Sequence, residues 1–268
     1  MLKDITLGQY FPGSTVAHRL DPRTKILLVV LYIVALFCAK GAVGYAVMAL
    51  VLLTCARISK VKFKSLVRGL KPVLFIIIFT AIMNLFFTPG ENYIFELGFL
   101  RVSAEGLRNA FFMVLRIMML IMGTFLMTYT TSPISLTDGL ERLLNWMKKL
   151  HVPVHELAMM MSIALRFIPT LIEETDKIMS AQKARGADFE SGNLIQKAKA
   201  MLPILVPLFV SAFRRADELA TAMECRCYHG GEGRTKLHVL KYESRDYIAL
   251  ALGAAVLALI LTLRKFVS

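Results

Sequence analysis

The sequence contains few cysteines and few charged residues, which disulfide-stabilised proteins and soluble proteins respectively need. Only four of the 268 residues are cysteine, and only 19% are charged. Cys38 and Cys55 lie inside apolar runs, so the cysteines do not form a disulfide framework. A soluble domain of this length carries more charge and fewer long apolar runs. The composition therefore excludes a disulfide-rich secreted domain and disfavours a soluble protein.

The sequence also lacks a phosphate-binding loop. Hydrolysis of ATP needs a glycine-rich loop of the GxxxxGK[ST] type. The glycine cluster at 230–236 reads GGEGRTK and does not fit that pattern. We interpret it as a flexible turn. No arrangement of nucleophile and base can be inferred either, so we expect no catalytic residue and no enzyme activity in this chain.

Metal-binding and cofactor motifs are equally weak. His151 and His155 are four residues apart, but Pro153 disturbs the helix that would align them. Cys225 and Cys227 alternate with a histidine, without the usual two-residue gap or a fourth ligand. We expect neither a metal nor a cofactor.

Apolar blocks and positive charge are abundant. Hydrophobic residues make up 56% of the chain, and 32 basic residues exceed 19 acidic ones, giving a formal net charge of +13. The mean hydropathy is +0.60. Because the basic residues flank apolar blocks instead of forming one stripe, they indicate membrane-flanking loops and no nucleic-acid partner. The sequence predicts an all-α polytopic membrane protein in contact with the lipid bilayer.

Five apolar blocks predict about five transmembrane helices. They cover 26–39, 41–56, 73–87, 107–130 and 247–263. The third block ends at a turn signal, Thr88-Pro89-Gly90. At the start of the first helix, Asp21 suits the N-cap and Pro22 the first helical position.

The region 131–245 has a different character, because charges of both signs are frequent and apolar residues recur at helical spacing. It predicts long amphipathic cytoplasmic helices. The apolar run 201–213 contains Pro203 and Pro207, and we interpret it as a kinked or membrane-surface segment too short to cross. We therefore divide the chain into 1–130, with helices 1 to 4; 131–245, the cytoplasmic segment; and 246–268, the final helix.

The distribution of basic residues predicts the orientation. The segments 1–25 and 57–71 are rich in lysine and arginine, whereas the loops on the other side have few. This places the N-terminus and 131–245 in the cytoplasm, with the chain in an inner membrane. No cleavable signal is evident, so we expect the N-terminus to be retained.

Arg116 lies within the fourth apolar block, and an ionisable residue inside a membrane span suggests a functional site. It could serve a stand-alone secondary transporter. The alternative is that it pairs inside the helix bundle or lies less deep in the membrane. The small membrane part, without corresponding halves, disfavours a transporter that works alone.

Two arginines end the two amphipathic helices. Arg185 is followed by Gly186, and Arg226 lies 41 positions later. A basic residue in the last turn and a glycine after it form an ordinary helix ending. Two such ends are also suited to docking into acidic grooves on a pair of partner subunits, because a guanidinium pairs with carboxylates in a bidentate manner.

Three parts of the sequence resemble the transmembrane T component of energy-coupling factor transporters. They are residues 8–14 (GQYFPGS) with 18–25 (HRLDPRTK), 181–189 (AQKARGADF) and 222–228 (AMECRCY). The last two resemble the family's coupling motifs, whose fuller form is Ala-Arg-Gly. The second site here departs from it, reading Cys-Arg-Cys.

The resemblance implies a function and a set of partners. The T component links two cytoplasmic ATP-binding-cassette ATPases to a substrate-binding membrane subunit, the S component, and transmits ATP hydrolysis to it. The overall match is similar to the shared modules that import vitamins, and the alternative is a dedicated cobalt or nickel module. The residues implied to bind the ATPases are Ala184, Arg185, Gly186, Cys225, Arg226 and Cys227.

Overall fold

The computed structural model describes residues 10–87, 93–97, 100–189, 193–230 and 239–267. Residues 1–9, the turn at 88–90 and the glycine-rich run at 231–236 lie outside the described residues. The helices run in chain order α1 (Val16–Arg19), α2 (Pro22–Cys38), α3 (Gly41–Ile58), α4 (Phe63–Leu70), α5 (Leu74–Phe87), α6 (Ala104–Thr130), α7 (Pro133–Leu143), α8 (Val154–Ala184), α9 (Leu194–Glu224) and α10 (Ser244–Val267).

The predicted all-α membrane class is confirmed. The five apolar blocks fall in α2, α3, α5, α6 and α10. One short antiparallel hairpin, which the sequence analysis did not foresee, precedes α6: β1 (Tyr93–Leu97) pairs with β2 (Leu100–Ser103). Two short 3₁₀ segments, Lys71–Val73 and Leu144–Leu150, follow α4 and α7.

Six helical segments of the described chain are long and apolar enough to cross a membrane. They are 41–58, 63–86, 104–130, 154–184, 195–224 and 244–266. α2, with 17 residues, is slightly shorter than these. The run 201–213 lies inside the 31-residue helix α9, which is long enough to cross a membrane, so the length of the run does not argue against a crossing. Its interpretation as a kinked or membrane-surface segment stays a prediction. The number of crossings and the cytoplasmic placement of α8 and α9 stay predictions.

The described residues form two compact units. Gly8–Gly139 with Leu240–Ser268 form one, which we call the terminal unit, and Leu140–Val239 belong to the other, the central unit. The division at 130 and 245 by membrane and cytoplasm stays a prediction.

The core of the terminal unit lies between α2, α3, α4, α6 and α10. Leu36, Met48, Leu66 and Ile260 are almost completely buried there. Burying one such side chain stabilises the fold by roughly 1.5–3 kcal/mol. These helices therefore form a bundle around a buried apolar core.

The start of α2 agrees with the prediction for its cap. The Asp21 carboxylate accepts a hydrogen bond from the Arg23 amide at 2.9 Å, and Pro22 is the first helical residue. Asp246, in the first turn of α10, is also buried and accepts hydrogen bonds from the amides of Asp21 and Glu243, each at 2.9 Å. The beginnings of α2 and α10 are therefore joined by a buried carboxylate.

Arg116 is partnered inside the bundle. Its Nε donates a hydrogen bond to the Tyr45 hydroxyl at 2.9 Å, and its guanidinium carbon lies 5.6 Å from the centroid of the Phe37 ring. Both rings lie near the turn between α2 and α3. Arg116 is therefore level with that turn, which favours the structural alternative for this residue over a transporter centre.

Candidate functional site

The central unit is built around two helices of equal length, because α8 and α9 each have 31 residues. They pack with opposite directions. Arg215 Nη2 donates to Glu174 Oε2 at 2.8 Å, and Gln182 Nε2 donates to the Pro203 carbonyl at 3.4 Å. The later residue of α8, Gln182, therefore contacts the earlier residue of α9, Pro203, as expected for antiparallel helices.

One face of α9 turns toward α8. Ile204 is buried, and Leu208, Ser211, Arg215 and Leu219 are partly buried at intervals of three or four residues. The Ser211 hydroxyl also donates to Glu174, so this carboxylate bridges two residues of α9. The sequence analysis did not foresee this contact.

The prolines of α9 explain the role of Gln182. A proline at position 207 has no amide hydrogen, so the Pro203 carbonyl loses the partner that lies four residues ahead. The side-chain amide of Gln182, from the last turn of α8, donates to that carbonyl. α8 therefore supplies a hydrogen bond that α9 cannot make by itself.

The end of α8 is closed by a Schellman motif around Arg185. The Ala187 amide donates to the Gln182 carbonyl at 3.0 Å, and the Gly186 amide donates to the Lys183 carbonyl, also at 3.0 Å. Gly186 has a φ of +87°, in the left-handed region that this motif requires. Arg185 is thus the cap residue immediately before the left-handed position.

The end of α9 repeats this geometry. The Tyr228 amide donates to the Met223 carbonyl at 3.0 Å, and the Cys227 amide donates to the Glu224 carbonyl at 2.8 Å. Cys227 takes the left-handed position, with a φ of +54°. Arg226 therefore occupies the same place in its cap as Arg185 does in the first.

The two caps differ at their left-handed residue. Glycine adopts this conformation without penalty, whereas a residue with a Cβ loses roughly 1–2 kcal/mol. A Cβ built on Gly186 would meet nothing within 4 Å, so only the backbone conformation opposes a larger residue there. The departure from Ala-Arg-Gly to Cys-Arg-Cys therefore preserves the backbone path but makes the second cap more strained.

Both arginine side chains are exposed. Within the residues that the structure describes, neither guanidinium has a hydrogen-bond or ion-pair partner. Because the helices are antiparallel, the two caps lie at opposite ends of the pair. The 23 residues from Pro203, near the end of α8, to Arg226 correspond to roughly 35 Å along a helix.

An apolar surface covers the middle of α9. Its side chains are more than two-fifths exposed, although they are large and hydrophobic: Met201, Leu202, Leu205, Val206, Phe209, Val210 and Phe213. Met160 and Met161 of α8 are about half exposed as well. We call the exposed residues of 201–213 the α9 apolar surface. Its size and chemistry suit a membrane-embedded or apolar partner.

The histidines and cysteines considered for metal binding are not gathered. His155 Nδ1 lies 3.0 Å from Glu141 Oε1, and no group of three or more potential ligand side chains occurs among the described residues. His151 ends the 3₁₀ segment with a φ of +60°. His155 therefore contacts Glu141, and His151 terminates the 3₁₀ segment.

Comparisons with known proteins agree on one family. The model of the CbiQ family, described as cobalt transport protein, matches residues 13–237. The chain is 57% identical over 266 residues to the energy-coupling factor transporter transmembrane protein EcfT of Clostridium kluyveri, covering 99% of this chain and 98% of that protein. The protein of the same name in Bacillus subtilis is 48% identical over 264 residues, or 98% of this chain and all of its own length.

A more distant relative gives the same result. The EcfT protein of Lactococcus lactis is 45% identical over 267 residues and aligns with 100% of both chains. The apolar helices described above agree with a transmembrane protein of this kind. The chain belongs to the CbiQ family as a transmembrane component of an energy-coupling factor transporter.

Proposed function

We propose that this chain couples ATP hydrolysis in two partner ATP-binding-cassette ATPases to a substrate-binding S component in the membrane. In this proposal the ATPases hold the catalytic sites and this chain holds none. The observation that carries it is the repeated cap, in which Arg185 and Arg226 occupy equivalent positions at opposite ends of one helix pair. Each exposed guanidinium enters an acidic groove of one ATPase.

The proposed contact residues are Ala184, Arg185, Gly186, Cys225, Arg226 and Cys227. Small residues around each arginine allow a partner surface to approach the helix end closely. A guanidinium at such an end pairs with a carboxylate through two parallel hydrogen bonds. The helix pair, held by the Glu174–Arg215 contact, moves as one body when the ATPases open and close.

The α9 apolar surface is proposed to contact the S component. Its mixture of aliphatic, aromatic and methionine side chains makes contacts that depend little on exact orientation. Such a surface lets the S component change its tilt without losing contact. The proposal places α8 and α9 on the cytoplasmic side of the bacterial plasma membrane, together with the N-terminus.

The proposed cargo is a vitamin or another micronutrient, and its identity is determined by the S component. The family description, cobalt transport protein, also supports a dedicated cobalt or nickel module as a second candidate. The two are distinguished by the S components that copurify with the chain and by the molecule that each one binds.

The decisive test is an affinity purification of the tagged chain in mild detergent. The wild type is compared with the double cap variant, Arg185→Glu plus Arg226→Glu. The control variant, Arg166→Glu plus Arg214→Glu, reverses the charge of two other exposed arginines on the same helices. We expect two ATPases with the wild type and the control, and none with the double cap variant. A wild type that purifies alone, or a cap variant that keeps both ATPases, would contradict the proposal.

A further inference from the structure

The terminal unit contains a large apolar groove that the coupling role does not use. It is half-open, has a volume of about 620 Å³ and lies between α1, α2, α3, α6 and α10. Its walls include Leu28, Tyr32, Val51, Leu126 and Val256. Ligand sites typically measure roughly 300–1,000 Å³, whereas packed interiors hold few voids larger than a water molecule. The groove is therefore large enough to be a binding site.

The length of the groove matches one leaflet of a bilayer. α10 lines it with one helical face, from Arg245 near the start of the helix to Val256. The eleven helical steps between these two residues correspond to roughly 16 Å of helix. The hydrocarbon core of a bilayer is about 30 Å thick, so the groove extends through about half of it.

The two ends of the groove differ in charge. Lys25 and Arg245 line it where α2 and α10 begin, whereas the walls farther along α10 are apolar. Lys25 Nζ donates to the carbonyls of Thr130 at 2.8 Å and His18 at 3.2 Å. Its positive charge is therefore held near the mouth by neutral oxygen atoms.

Further cations surround this mouth. Exposed Arg19, Arg57 and Lys60 each lie next in sequence to a residue that lines the groove, and Arg23 is close by on α2. Three carboxylates belong to the same segments: Asp21, Glu243 and Asp246. Asp21 pairs with Arg23, Asp246 accepts two backbone amides, and Glu243 contacts Arg245 at 3.4 Å. With Lys25 and Arg245, the mouth has six cations against three carboxylates, so its net charge is positive.

We propose that this groove binds one acyl chain of an anionic phospholipid, whose phosphate lies next to Arg245. In a membrane, an apolar groove one leaflet long is filled by an acyl chain, and the surplus of cations selects an anionic headgroup. The lipid comes from the leaflet on the side where α2 and α10 begin. This site is separate from the cap arginines and does not depend on the proposed coupling function.

Native mass spectrometry of the purified full-length chain tests the proposal. Phosphatidylglycerol and phosphatidylcholine with identical acyl chains are added in separate titrations. We expect one phosphatidylglycerol per chain, bound about tenfold more tightly than phosphatidylcholine, which corresponds to about 1.4 kcal/mol. Equal binding of the two lipids would overturn the assignment of an anionic headgroup.

Two substitutions narrow the groove from opposite walls, Ala249→Trp on α10 and Thr54→Phe on α3. The matched control, Leu259→Trp, adds the same indole to α10 at a partly exposed position that does not line the groove. We expect binding of phosphatidylglycerol to fall about tenfold in both groove variants and to stay unchanged in the control. Unchanged binding in the groove variants would show that the lipid occupies another surface.

The headgroup assignment has its own variant. Arg245→Gln removes one exposed cation from the mouth without altering the apolar walls, and Arg264→Gln removes a cation from the other end of the same helix. We expect only Arg245→Gln to reduce the preference for phosphatidylglycerol over phosphatidylcholine. Since Arg245 is exposed, this variant tests the proposal even if the groove variants fail to fold. An unchanged preference would overturn the role of Arg245.

Discussion

The terminal and central units differ in how much of their own apolar surface they cover. Among the described residues, the buried hydrophobic side chains belong almost entirely to the terminal unit, and the central unit contributes only Val154, Ala158 and Ile204. Both units expose large apolar side chains, such as Phe75 of the terminal unit and Phe213 of the central unit, so the difference lies in the buried core. The terminal unit is therefore stabilised by its own packing, whereas the described helices of the central unit bury little of their apolar surface against each other.

The largest expected effect is the loss of a core side chain in the terminal unit. Leu36 is fully buried, so Leu36→Ala leaves a cavity and lowers the free energy of unfolding by about 3 kcal/mol. Phe209 of the central unit is 57% exposed, so Phe209→Ala changes stability by less than about 0.5 kcal/mol. Thermal unfolding of both variants in the same detergent measures the difference. Equal destabilisation would contradict the contrast between the units.

The next effect concerns the polar contact that joins α8 and α9. Arg215→Ala leaves the Glu174 carboxylate with fewer partners and lowers the free energy of unfolding of the central unit by about 1.5 kcal/mol. A double-mutant cycle with Glu174→Gln isolates the coupling energy, which we expect to be about 1 kcal/mol because both side chains are partly exposed. Arg214→Ala, at the exposed neighbouring position, is the control. A coupling energy of zero would show that this pair does not hold the two helices together.

The smallest effects distinguish the two caps. Gly186→Ala forces a residue with a Cβ into the left-handed conformation and lowers stability by about 1 kcal/mol. Cys227→Gly removes the strain of a Cβ-bearing residue in the same conformation and raises stability by about 0.5 kcal/mol. Unfolding in chemical denaturant measures both changes. If the two substitutions change stability in the same direction, the caps are not equivalent.

The sequence predicts much of this fold because the signals are local. The N-cap at Asp21 and the helix ends at Arg185 and Arg226 depend on residues within one turn of each other. Each apolar block is likewise recognised from one continuous stretch of sequence. These features were therefore predictable without knowledge of which helices are neighbours.

The remaining features depend on contacts between distant segments. The partner of Arg116, the buried position of Asp246 and the Glu174–Arg215 pair each join two helices. The continuity of α9 was missed for the same reason. Local rules count Pro203 and Pro207 as costs, but the donor that satisfies a freed carbonyl comes from Gln182 of the preceding helix. The groove, too, is defined by five helices together.

The antiparallel arrangement of α8 and α9 gives this helix pair an approximate two-fold symmetry. Two helices of 31 residues each, running in opposite directions and ending in the same cap, exchange places on a half-turn about an axis between them. One chain without internal sequence symmetry thereby presents the same arginine cap twice, in the way that an isologous dimer interface presents the same surface from each subunit. In the proposed complex, two similar ATPases related by such an axis each meet an equivalent arginine, and the difference between Gly186 and Cys227 distinguishes the two helix ends.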